Sequence, residues 1–167
     1  MLTLNGRATE AVHFVQGIAP VANAFAGTVS TQAVNMQNWR KCVFDYIKGV
    51  GATGTATITV EACTSAAGAG NTAIPFTYRS YATAAGTSDV PTTVPTASAA
   101  AGFTTSAGSN QRYVVEVDQA NLLAVSGAKY VRLTSTEVVA SAVLGGVEII
   151  LMNPLFSGAA NPQTVIT

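Results

Sequence analysis

Charge is the scarcest feature of this sequence. Of 167 residues, eight are Lys or Arg and eight are Asp or Glu, a charged fraction of 10% where soluble domains usually carry roughly 25%. A compact fold of this mass exposes about 7,700 Å², or roughly 480 Å² per charge, so most of the exterior must be Ala, Thr, Ser, Gly or apolar. Net charge is zero and no basic cluster exceeds Arg40-Lys41, which excludes a phosphate-tracking surface and with it nucleic acid as a partner. Disordered chains combine low hydrophobicity with high net charge, and a mean hydropathy of +0.36 is the opposite. Histidine is limited to His13, with no H-x-x-x-H or Cys/His grouping, so neither a zinc site nor any other cofactor is expected. The two cysteines, Cys42 and Cys63, are too few for a disulfide framework and form no C-x-x-C pair, so free, buried thiols are expected. Long apolar runs are lacking too. The longest, Val138–Met152, is broken by Gly145-Gly146 and Glu148 and falls short of the roughly 20 residues of a membrane helix. The start, Met1-Leu-Thr-Leu-Asn-Gly-Arg7, has no basic head followed by an apolar segment, which points to synthesis in a cytoplasm without a secretion signal.

What the sequence does have is short Val/Ile/Thr/aromatic runs punctuated by Gly, Pro, Ser and Asn, the pattern of an all-β sandwich or barrel. Strands are predicted at Val12–Ile18, Trp39–Lys48, Thr55–Cys63, Ile74–Tyr81, Arg112–Asp118, Lys129–Val138 and Ala142–Met152, with weaker ones near Thr28–Val34 and Gly102–Thr105. One helical turn is predicted over Gln119–Val125, capped by Asp118 and ended by Gly127. Period-2 alternation turns Ala56, Ile58, Val60 and Ala62 inward against Thr57, Thr59 and Glu61, and Tyr113, Val115 and Val117 inward against Arg112, Val114, Glu116 and Asp118. Val131 and Leu133 alternate likewise with Tyr130, Arg132 and Thr134. Trp39–Cys63 reads as a β-hairpin, which would place Arg40 and Lys41 near Glu61 as a cross-strand ion pair and leaves a Cys42–Cys63 bridge geometrically conceivable. The segment 83–110, mostly Ala, Thr, Ser, Gly and Pro, is far longer than a usual connection, and such loops on a rigid sandwich are where partners bind. Asn153–Thr167 holds two Asn-Pro breaks yet carries Leu155, Phe156, Val165 and Ile166, an apolar tail suited to docking on a neighbour.

Residues that could carry chemistry have simpler roles. Gly49-Val-Gly-Ala-Thr-Gly54 fits G-x-G-x-x-G, but phosphate binding there needs a following helix, and Thr55–Val60 is β-branched and alternating, so these are turn glycines. No G-x-S-x-G elbow occurs, and His13 lies within an alternating strand pattern as a partly exposed strand residue. Acids at Asp45, Glu61, Glu116, Asp118, Glu137 and Glu148 could pair across a sandwich face, but no spacing forces any pair. Trp39 reads as a core or interface anchor.

Asp45–Cys63, together with Ile74–Arg79, Ala101–Thr105 and Lys129–Leu133, resembles small structural proteins of tailed bacteriophages and prophages, most closely the capsid decoration, or cement, proteins. The resemblance implies a jelly-roll-like sandwich bound outside the major capsid shell and carries no catalytic residues. The expectation is therefore an all-β, single-domain β-sandwich over 1–152, with the long loop 83–110 and an extended C-terminal arm over 153–167. Its expected function is non-enzymatic: a virion protein that cements the capsid exterior, is made in the host bacterial cytoplasm, and binds the major capsid protein and itself as a homodimer or homotrimer. Trp39, Phe103, Leu155, Phe156, Val165 and Ile166 are the candidate interface residues. A place at the phage neck or tail is one alternative. Another is a receptor- or carbohydrate-binding module that uses Trp39, Tyr78, Tyr81 or Tyr113 as a stacking platform. An enzyme built on His13 or the strand acids is the most distant.

Overall fold

Apolar residues at every second position can all be buried only if a second sheet covers them, and the fold is that arrangement. The computed structural model describes residues 11–51, 53–81, 90–91, 96–97, 101–155 and 166. Among the described residues, twelve strands form two antiparallel sheets. The first sheet comprises β1 (Val12–Val21), β4 (Trp39–Lys48), β7 (Phe76–Tyr81), β8 (Thr96–Ala97), β10 (Gln111–Asp118) and β12 (Gly145–Pro154), in the order β1-β12-β4-β10-β7-β8. The second is built on β5 (Thr55–Cys63) paired with β11 (Tyr130–Val139). β2 (Thr28–Ser30) and β3 (Val34–Asn35) flank β11, while β6 (Thr72–Ala73) and β9 (Phe103–Thr104) flank β5.

The inward rows match the predicted alternation. Phe44 and Tyr46 of β4, Val115 and Val117 of β10, and Ile149 and Leu151 of β12 meet Ile58 and Val60 of β5 and Val131 and Leu133 of β11 in one buried cluster. Each such side chain contributes about 1.5–3 kcal/mol by leaving water. Phe25, in the turn after β1, enters the same core and stacks on Tyr46 with ring centroids 4.2 Å apart. The predicted helical turn appears as α1 (Gln119–Leu122), where the Asn121 side chain accepts the Asp118 N–H at 3.0 Å; Gly127 follows with φ +75°.

The expected Trp39–Cys63 hairpin does not form. β4 is hydrogen-bonded on both sides, to β10 and to β12, so no edge remains for β5, and the chain crosses to the other sheet through residues 49–54. The glycines of this crossover serve close packing: a Cβ on Gly54 would lie 2.8 Å from the Ser141 carbonyl oxygen. The expected Arg40/Lys41–Glu61 pair is therefore also absent; Glu61 binds Arg132 across β5–β11 at 2.6 Å, and Lys41 binds Glu116 across β4–β10 at 2.9 Å. Cys42 and Cys63 are free, buried and in different sheets. The long segment 83–110 includes β8, which was not expected from the sequence, and β9, which coincides with the weak strand predicted at Gly102–Thr105.

Candidate docking face

The outer face of the first sheet has two chemically different halves. Its rows follow from register: Val12, Met152 and Lys41; Phe14, Ile150, Val43 and Glu116; Gln16, Glu148, Asp45 and Val114. On the β1–β12 side the row members are mostly apolar, and Phe14 is 50% exposed. Large exposed apolar surface on a folded chain usually marks an interaction site.

The β4–β10–β7 half is charged but self-neutralised. Arg112 grips Asp45 through two bonds of 2.6 Å and lies over the Tyr81 ring at 5.9 Å. Its hydrogen bond to Asp45 raises the guanidinium above its ordinary pKa. Lys41 is also raised, first by its hydrogen bond to Glu116, with Asp118 adding attraction at 3.9 Å. On the other sheet Thr134 adds a 3.2 Å bond to the Arg132–Glu61 pair, and the Glu137 carboxylate accepts the Gly27 N–H at 2.9 Å.

Glu148 stands directly across from Asp45 in the β12–β4 register. This is a carboxylate pair of the kind the acids permitted, but Arg112 already binds both oxygens of Asp45. Like charges on facing strands are destabilising. Glu148→Gln should therefore raise stability by about 0.2–1 kcal/mol, read as a higher urea midpoint at unchanged slope; an unmoved or lower midpoint would refute the repulsion.

At the far end of the same face an open groove of about 330 Å³ is lined by Gln16, Ile18, Pro20, Ile47, Leu144 and Glu148. It exists because Gly146 places no side chain between β1 and β4; a Cβ there would lie 2.9 Å from the Ile18 carbonyl oxygen.

The expected interface residues separate. Trp39 is fully buried, and Phe103 is buried in the core, stacked on Tyr78 at 3.8 Å; both open strands, β4 and β9, and are drawn inward because both can cap the apolar layer between the sheets. Neither can contact a partner directly. Leu155 is exposed and follows β12, its N–H donating to the Asn38 carbonyl at 2.9 Å, and Ile166 is also exposed. Phe156 and Val165 lie outside the described residues. Phe14 and Lys48 were not anticipated. Lys48, although buried, sits at the inward parity of β4 and donates to the carbonyls of Gly54 (2.7 Å) and Ser106 (2.8 Å). His13 packs near Trp39, ring centroids 6.0 Å apart. Among the described residues no cluster of His, Cys, Asp and Glu could hold a metal ion, and no helix is long and apolar enough to cross a membrane. Compared with protein-family models, curated proteins and solved structures, the chain matches none.

Proposed function

We propose that this chain is a non-enzymatic structural protein of a bacteriophage virion that decorates and stabilises the outer surface of the major capsid shell. The observation that carries the proposal is the apolar strip of Val12, Phe14, Ile150 and Met152 on the β1–β12 side of the first sheet, beside acids and bases of β4 and β10 that neutralise one another. A face of this kind loses little solvation when packed permanently on a neighbour, and obligate interfaces resemble a domain core cut in half. Many identical copies on a shell would multiply modest contacts by avidity.

The strand order supports a jelly-roll-like reading of the sandwich. The first strand lies beside the last, and the chain changes sheet at every step except β2 to β3, β5 to β6 and β7 to β8. Jelly rolls, two Greek keys folded into facing sheets, are common in viral capsid domains. A sugar-stacking platform finds less support, because Trp39 and Tyr113 are buried and Tyr78 is stacked against Phe103.

Quantitative mass spectrometry of purified particles, combined with a symmetry-averaged cryo-EM map, tests the proposal. The expected result is hundreds of copies on the outer shell. A handful at one vertex would move the chain to the neck or tail, and none in the particle would overturn a virion role.

A further inference from the structure

The sandwich has four lateral edges, and three are broken into short pieces. β2 and β3 share one edge of the second sheet, with three and two residues; β6 and β9 share the other, with two residues each. β8, at one edge of the first sheet, has two residues. Short edge strands are a common defence against unwanted pairing. β1 is different: it is an edge strand of ten residues, and among the described residues nothing pairs with its outer side. Its second half is irregular, with register shifts between Gln16 and Ile18 and between Ile18 and Val21, and it contains Pro20. Its first half, Val12–Gln16, pairs regularly with β12 and has no shift, no proline and no Lys, Arg, Asp or Glu. Every second residue of such an edge directs its N–H and C=O away from the sheet.

We propose that Val12–Gln16 is a homotypic docking edge, along which a second copy of this chain adds its own β1 antiparallel across a two-fold axis at Phe14. The occupant must be an extended, uncharged strand whose alternation continues both layers of the sheet, and β1 itself meets each requirement. In this register Phe14 faces Phe14 of the second copy, Val12 faces Gln16, and His13 faces Val15. The outward pairs extend the strip of Phe14, Ile150 and Met152 across the axis, and the inward pairs extend the layer in which Val15 is buried. No like charges meet, and an aromatic pair lies at the centre. The contact is isologous, so it closes as a dimer and leaves no further edge to propagate. This pairing belongs to the chain in solution and stands apart from the virion proposal.

The test uses the full chain. Light scattering or sedimentation at tens of micromolar should give a concentration-dependent dimer, and Phe14→Lys, which sets two ammonium groups across the axis, should raise its dissociation constant about tenfold or more. Cysteine scanning fixes the register independently of folding losses. The Cα atoms of facing residues lie about 4.5–5.5 Å apart, so Phe14→Cys should give a disulfide-linked dimer under mild oxidation. The two copies of a Gln16→Cys chain would be displaced by about 13 Å along the strands and should not cross-link. Cys42 and Cys63 are buried and do not compete. A monomer at all concentrations would overturn the proposal, as would a dimer indifferent to a folded Phe14→Lys chain. Cross-linking at position 16 in place of position 14 would overturn it too.

Discussion

Trp39→Ala should lower folding stability by about 3–5 kcal/mol, the usual cost of emptying a large buried aromatic site. Trp39 opens β4, faces Pro154 at the last register position of β12, and has no exposed surface. Its backbone N–H donates to the Met36 carbonyl at 3.1 Å, which fixes the entry into the strand, but its indole Nε1 is buried with no partner among the described residues. A buried donor without an acceptor costs about 1–3 kcal/mol. Trp39→Phe deletes that donor along with part of the ring, so its loss should be less than half that of alanine. Urea denaturation of the three chains separates these effects. An alanine variant within about 1 kcal/mol of the parent, or a phenylalanine variant as unstable as the alanine one, would show that the indole does not anchor the start of β4.

How much of this was legible in the sequence depended on whether a signal was local. The alternation of Ala56–Ala62 and Arg112–Asp118 gave the correct inward face, because parity along one strand depends only on its own residues. The α1 turn was readable for the same reason, from Asp118 and Gly127. Pairing is not local. Six residues between two strands fit a hairpin and a crossover equally well, and only the capture of both β4 edges by β10 and β12, strands more than 60 residues away, rules out the hairpin. The same capture reassigns the ion pairs of Lys41 and Glu61. For the candidate face the sequence was least informative. Trp39 and Phe103 stood out because large aromatics are common interface anchors, yet that property also makes them core residues. Phe14 was inconspicuous, since its exposure depends on β1 lying at an edge with Val15 turned inward.

Lys48→Met should lower stability by about 2–4 kcal/mol at neutral pH. The methionine fills a similar volume but leaves the Gly54 and Ser106 carbonyls without their donor, at about 1–3 kcal/mol each, partly offset because no ammonium has to be desolvated. These two bonds tie the 49–54 crossover to the segment entering β10, which explains why a charge is retained inside an otherwise apolar layer. Tyr46 and Glu137 line the small cavity beside Lys48, and Glu137 is itself held by the Gly27 N–H. Burial lowers the Lys48 pKa from 10.5. The unfolded chain therefore holds this proton to higher pH than the folded one, so stability from this group rises with pH across the window between the folded value and 10.5. Cys42, Cys63 and Tyr46 act in the opposite sense. Burial raises all three, so the stability they contribute is fully present below the ordinary values, 9.0 for the two thiols and 10.0 for Tyr46, and is progressively lost above them. Both chains should thus weaken above about pH 9, but the gap between parent and Lys48→Met should widen on approaching pH 10.5, since only the parent gains from releasing the buried proton. Denaturant titrations of both chains from pH 7 upward measure the gap directly. A gap that narrows would mean that the Lys48 ammonium is stabilised in the fold, and that its bonds to the two carbonyls outweigh the cost of burying its charge.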